Sequence, residues 1–382
     1  MDFALNDDQQ MLQAAVQRFV ADEYSFERRN EVLETQHGCS ERVWQRLAAQ
    51  GLLSIGLPEE QGGLGGPVET MVVMEQLGAG LVLEPFLSTV VLGGGLITRH
   101  GSPMQQSEFL PRIVEGSCRV ALAHHEPGAR YVLDHVNMRA RESGDAVALT
   151  GTKTVSLDAA VATLLIVSAR DESSDALSLF LVDPQTPGVE LVRYRTQDGR
   201  SAADVTLRGA HFSKSHMLGA RGEGLAALER ALDYATAALC AEAVGIMEAL
   251  NAKTLEHLKS RVQFGQPIGR FQVLQHRMAD LFVMAVQARS MSLLATGRCS
   301  SPDRALRRHD IAAAKAFIGK AARFIGQQAV QLHGGMGLSA ELIVSHYFKR
   351  LTMIDATFGD ADHHRGVLSD LMLSERTPVG SA

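Results

Sequence analysis

Cysteine is scarce in this chain: the four residues among 382, Cys39, Cys118, Cys240 and Cys299, stand far apart and form no Cys-x-x-Cys pair. Such spacing supports neither a disulfide framework nor a zinc ribbon, and a reducing cytoplasm is the expected setting. Runs of basic charge are missing as well. With 37 Lys and Arg against 43 Asp and Glu, the net charge is -6, which offers no electrostatic footprint for nucleic acid. The first residues show no basic start followed by an apolar run, and no apolar segment approaches the roughly 20 residues that cross a bilayer. A membrane span is therefore not expected. What is present is a chain long enough to bury more than one core.

The periodicity changes twice along it. From Asn6, a candidate N-cap followed by Asp7 and Asp8, apolar residues recur at helical spacing (Leu12, Val16, Phe19). Glycines and prolines between 51 and 67 interrupt this pattern, and it resumes over 68–83. Between about 120 and 215, short β-type runs at 146–149, 164–167, 177–182 and 205–207 are separated by Gly, Asp and Pro. Helices return from Gly224, at about 224–263, 271–296, 303–331 and 339–371, the last broken near Gly359. Leu274, Met278, Leu281 and Ala285 mark an apolar seam on the second of these. The expected class is α+β: an N-terminal helical domain (1–117), a middle β-barrel or sandwich domain (118–218) and a C-terminal four-helix bundle (219–382).

Two glycine-bearing segments stand out. The first runs Arg261-Val262-Gln263-Phe264-Gly265-Gln266-Pro267-Ile268, followed by Phe271, Gln272 and Gln275; the second is Gln331-Leu332-His333-Gly334-Gly335-Met336-Gly337. Either alone has an ordinary reading, a glycine-capped helix end or a turn. In this order, between long helical patterns, the pair resembles the two FAD-contacting signatures of the acyl-CoA dehydrogenase family, and the resemblance covers nearly the whole chain. It implies that Arg261, Gln263, Phe264, Phe271 and Gln272 meet the pyrophosphate and adenine side of FAD. Gln331, Gly334 and Gly335, from a neighbouring subunit, let backbone approach the same cofactor.

The chemistry that the resemblance implies is α,β-desaturation of an acyl-CoA thioester: a carboxylate removes the α-proton while the β-hydride moves to the flavin. The family's usual base position, in a Glu-Gly-Thr segment, matches Phe358-Gly359-Asp360 here, and an alternative position on the bundle's first helix matches Ala235. Neither Phe358 nor Ala235 can take a proton. Two nearby carboxylates are candidates. Glu242 is the charged member of the seam Leu225, Leu228, Leu232, Ala235, Leu239, Glu242, Ile246 and Ala249; it lies about 10 Å along the helix from Ala235 and is either a base or half of a buried ion pair with an arginine or histidine. Asp360 is either a base or a hydrogen-bonding residue near the flavin. The ring half of the flavin site is altered too. The family's Thr-Glu-Pro-x-Ala-Gly-Ser-Asp loop reads His125-Glu126-Pro127-Gly128-Ala129-Arg130-Tyr131-Val132, and its Trp-Ile-Thr-Asn reads Val155-Ser156-Leu157-Asp158 after Thr150-Gly151-Thr152-Lys153-Thr154.

The tail from Ser345 to Asp355, with Asp360, Asp362, His363 and His364 beyond it, resembles a narrower branch: the small subunit of pimeloyl-CoA dehydrogenase and related heteromeric acyl-CoA dehydrogenases. That branch implies an acyl-CoA substrate, an electron-transfer flavoprotein as electron acceptor, and a homologous acyl-CoA dehydrogenase subunit as partner. Asp360, Asp362, His363 and His364 are metal-ligand types, but adjacent histidines on a helix point about 100 degrees apart, and no metal site is read. Two other readings stand beside catalysis: a non-catalytic partner without a complete flavin or base site, and a fold recruited for another flavin reaction such as nitroalkane oxidation or hydroxylation.

Overall fold

The computed structural model describes residues 4–35 and 38–376. Helices α1 (Asp7–Glu23), α2 (Phe26–Glu34), α3 (Glu41–Ala49), α4 (Pro67–Ala79), α5 (Gly95–His100) and α6 (Pro103–Val114) come first. Strands β1 (Val120–Ala123), β2 (Arg139–Ser143), β3 (Ala146–Leu157), β4 (Leu164–Asp171), β5 (Leu177–Val182), β6 (Val189–Arg195), β7 (Ser201–Ser213) and β8 (Met217–Leu218) follow. Helix α7 (Gly224–Ser260) leads through the short strands β9 (Val262–Gln263) and β10 (Gln266–Pro267) into α8 (Gln272–Arg298), α9 (Arg304–His333), α10 (Ile343–Ala356) and α11 (Ala361–Arg376). By contact the chain forms two compact units. One comprises the chain up to Arg29, Pro67–Val82 and everything from Thr236; the other comprises Asn30–Gly66 and Leu83–Ala235.

In the first unit, α1 starts where its chemistry directs. The Asn6 side chain accepts from Gln9 N while the Gln9 side chain accepts from Asn6 N, a reciprocal capping box. Helices α4 and α7 touch backbone to backbone, because a Cβ on Gly245 would lie 1.9 Å from the Glu75 carbonyl oxygen and one on Gly78 would lie 2.3 Å from that of Glu242. As expected from the break near Gly359, the last helical stretch forms two helices, α10 and α11. Phe358 (φ 58) and Gly359 (φ 105) take left-handed backbone between them, which no α-helix continues through.

The second unit holds one eight-stranded sheet in the order β6-β7-β3-β2-β4-β5-β8, with β1 pairing parallel to β4. Every residue of β5 is buried, and so are all but one of β4, as expected for strands covered on both faces. A π-helical stretch, Leu87–Gly94, supplies part of that cover. It comes so close to β1 that a Cβ on Gly93 would lie 2.4 Å from Val120 Cβ. Trp44 is fully buried, with Nε1 donating to Gly116 O at 2.9 Å.

Helices α7 and α8 are both long and apolar enough to cross a membrane by length and composition; scattered charges hid this from a search for unbroken apolar runs. In α7, 78% of the apolar window is buried inside the protein, as in a core helix. Helix α8 is different, exposing Val273, Phe282, Val283 and Val286.

Candidate cofactor and catalytic site

The Arg261 segment is a hairpin rather than a plain helix end. Arg261 N closes α7 on His257 O at 2.8 Å, and Gln263 pairs with Gln266 across a two-residue turn, Phe264 (φ 55) and Gly265 (φ 75). Two left-handed residues in a two-residue loop suit the right-handed twist of the strands, but a bulky phenylalanine there is strained. Its ring is also 88% exposed, with only an edge contact to Phe271 at 6.0 Å. Arg261, Gln263, Gln272 and Gln331 are exposed, and among the described residues their side chains have no hydrogen-bond or ion-pair partner.

The two signature segments meet on one chain. His257 of α7 and His333 of α9 stack with centroids 4.3 Å apart at 24°, so the helix ends carrying Arg261 and Gly334 lie side by side. Within one protomer, then, Arg261 and the Gln331–Gly335 segment belong to one surface. Gly334 adopts φ 63, ψ -147, a conformation open to glycine, and a Cβ on Gly334 or Gly335 would meet nothing within 4 Å. Beside this surface lies a cavity of about 490 Å³, lined by Leu255, Leu258, Leu274 and Met278 with the cations Lys259 and Arg270 at its wall. Unpartnered cations, free amides, an apolar slot and open glycine backbone fit the pyrophosphate and adenine end of a dinucleotide.

In the second unit the two altered ring-side segments are tied together by a buried network. Lys153, with no exposed surface, donates from Nζ to Glu126 Oε1 at 2.7 Å and to Ser168 Oγ at 2.9 Å. Glu126 also accepts from Asn137 N at 2.6 Å and Met138 N at 3.0 Å. Burial alone would raise the Glu126 carboxyl, but Lys153 and the two N–H donors hold it below its usual value. Burial pushes the Lys153 ammonium down to about 8 against the pull of Glu126. These two residues are thus the structural core of motifs whose ring-facing members are changed. At one of those, Val155, a bulge in β3 turns the backbone to φ 50. The Val155 N–H donates to Tyr194 Oη and Asp204 Oδ1, each at 3.0 Å.

None of the candidate carboxylates is idle. Glu242 is buried and paired through both oxygens with Arg350, Nε to Oε1 at 2.6 Å and Nη2 to Oε2 at 2.7 Å. Both oxygens of Glu242 are thus engaged by one guanidinium. Asp360 Oδ1 accepts from His363 N at 2.8 Å and so caps α11. Ala235 is fully buried. The Phe358 loop is clamped from behind: Lys315 Nζ donates to Asp355 O at 2.8 Å and Gly359 O at 2.6 Å, and His364 Nε2 donates to Phe358 O at 3.0 Å. Lys315, His257 and Arg350 carry no sequence signal of their own, since each acts through a partner tens to a hundred residues away.

Comparison with known proteins bears on the fold and family. Residues 6–117 match the family described as acyl-CoA dehydrogenase, N-terminal domain; residues 121–214 match its middle domain and 222–373 its C-terminal domain. Acyl-CoA dehydrogenase FadE27 of Mycobacterium tuberculosis is 29% identical over 369 residues, covering 94% of this chain and 96% of that protein. Acryloyl-CoA reductase (NADH) of Anaerotignum propionicum is 26% identical, covering 97% and 95%. The ChsE4-ChsE5 complex from Mycobacterium tuberculosis superposes with a TM-score of 0.88 at 27% identity, covering 99% of this chain and 100% of the matched one. With consecutive domain matches from residue 6 to residue 373 in the family's own order, the chain belongs to the acyl-CoA dehydrogenase family.

Proposed function

We propose that this chain is a subunit of an FAD-dependent acyl-CoA dehydrogenase, assembled with a homologous subunit that supplies the catalytic base. The observation that carries the reading is an imbalance. Arg261, Gln263, Gln272 and Gln331 stand exposed and unpartnered around open Gly334 and Gly335, whereas every candidate base is either apolar or already engaged. A bound flavin supplies hydride acceptance. This chain's residues bind the cofactor's phosphates through Arg261, approach it through Gly334 and Gly335, and exclude water with Phe358 where a base is usual. The similar ChsE4-ChsE5 structure is a complex of two named proteins, and on this chain the exposed apolar face of α8 is the surface offered to a partner subunit. An electron-transfer flavoprotein takes the electrons, and the cytoplasm is the setting. The tail's likeness to the pimeloyl-CoA dehydrogenase small subunit makes a dicarboxylic acyl-CoA the first substrate to try.

The test is flavin content. Arg261→Ala should lose most bound FAD, because a charge-assisted pair with phosphate is removed, worth about 1.5 to 3 kcal/mol. Lys320→Ala, at an exposed position on α9, should leave it unchanged. Equal flavin content in the two variants discards the assignment. The same imbalance also favours a second reading, a partner subunit that completes a heteromer without turning over substrate itself; purification of the chain without yellow colour under any condition would select it.

A further inference from the structure

At the end of β1 the chain carries two adjacent histidines, each held through Nδ1 by a hydroxyl on a neighbouring strand: His124 by Ser168 Oγ at 2.9 Å and His125 by Thr154 Oγ1 at 3.2 Å. His124 belongs to a relay whose proton positions can be worked out. Lys153 Nζ can only donate, so it occupies a lone pair of Ser168 Oγ. Ser168 is fully buried and keeps one further lone pair and a hydroxyl hydrogen; the acceptor available to that hydrogen among the described residues is His124 Nδ1, and a buried hydroxyl hydrogen is not left unpaired. His124 is thereby fixed as the tautomer with its hydrogen on Nε2, an atom with no partner among the described residues. The groups facing it are Lys153, Glu126 and His125. Burial first, and then the Lys153 charge, push the imidazole down to about 3, so it stays neutral throughout the physiological range.

We propose that His124 is a hydrogen-bond donor, through Nε2, to an acceptor atom on the conjugated ring of a bound flavin, standing in for donors lost from the altered ring-side loop. This rests on the flavin-dependent reading above and adds to it that the second unit of this chain binds a flavin ring through His124. A neutral donor fixed by a buried lysine–serine relay suits such an acceptor, because it directs a hydrogen bond without placing a full positive charge beside the ring. Val155, where a tryptophan would cover that ring, is 46% exposed, so the neighbouring strand leaves room.

The experiment uses the full-length chain and two probes, FMN (ring without adenylate) and ADP (adenylate without ring), titrated separately into wild type, His124→Leu and His124→Gln. Expected is FMN binding that His124→Leu weakens at least tenfold, that His124→Gln partly restores through its amide N–H, and that stays flat from pH 5.5 to 7.5, with ADP binding equal in all three proteins. In parallel, ¹⁵N spectra of histidine-labelled wild type should show a neutral His124 with hydrogen on Nε2, whose signal shifts with FMN and not with ADP. FMN affinity unaffected by His124→Leu, or a His124 signal that titrates near pH 6.5, overturns the proposal. Binding of ADP without FMN overturns it while leaving the adenylate site standing; binding of neither removes the flavin reading itself.

Discussion

Val155 is a β-branched residue in left-handed backbone, held there by Tyr194 and Asp204. Such a residue costs about 1 to 3 kcal/mol, whereas asparagine visits this region readily. Val155→Asn should therefore raise stability by about 1 kcal/mol in urea unfolding; an unchanged midpoint would mean the bulge carries no strain. Glu75 gives a pH dependence. Burial raises its carboxyl to about 7 from 4.5, against the pull of Arg289. A folded value above the unfolded one means that the folded state binds the extra proton between them, so this contribution is present below about pH 4.5 and is lost as pH rises through 7. Wild type should lose about 2 kcal/mol more than Glu75→Gln between pH 5 and pH 8, measured by urea titration at both; parallel losses would assign the slope to other groups. At this scale the sequence was legible where chemistry is local, as at the Asn6 cap. It was silent on the Glu242–Arg350 fork's actual partner, because 108 positions separate the two residues.

Helices reveal why some small residues cannot change. The seam of α7 was readable from its three- and four-residue steps, yet the same pattern says nothing of Gly245, which lets α4 and α7 approach to backbone contact. Gly245→Ala should cost about 3 kcal/mol, since the helices must separate to admit a methyl group. Gly366 makes the control: nothing lies within 4 Å of an added Cβ in exposed α11, and Gly366→Ala should gain up to about 1 kcal/mol. Calorimetric midpoints moving in the same direction for both would refute this packing. The break between α10 and α11 was placed correctly at Gly359, whose positive φ the glycine announced. The left-handed Phe358 beside it was not foreseeable, because its loop is specified by Lys315 and His364 from other parts of the chain.

The whole molecule has the family's order of elements but an uneven distribution of function. Its most conspicuous unsatisfied surface is the apolar face of α8 together with the Phe264 tip. If that face packs against another subunit, Phe282→Glu with Val286→Glu should dissociate the oligomer, read by light scattering at micromolar concentration; a wild type already monomeric there would rule out the assembly. Periodicity foretold the α+β class, but the seam it marked on α8, Leu274, Met278, Leu281 and Ala285, is not the apolar face that α8 exposes at Val273, Phe282, Val283 and Val286. In the proposed assembly this subunit binds the cofactor while its partner supplies the base. This is tested most directly by flavin bleaching under a panel of acyl-CoA thioesters, for wild type and Glu242→Gln, each alone and reconstituted with the homologous subunit. Expected are little bleaching by the isolated chain and rapid bleaching by the heteromer, with any loss in Glu242→Gln matched by a loss of folding or flavin as its ion pair with Arg350 is broken. Rapid bleaching by the isolated wild-type chain, abolished in Glu242→Gln at unchanged flavin content, would contradict it and make Glu242 the base.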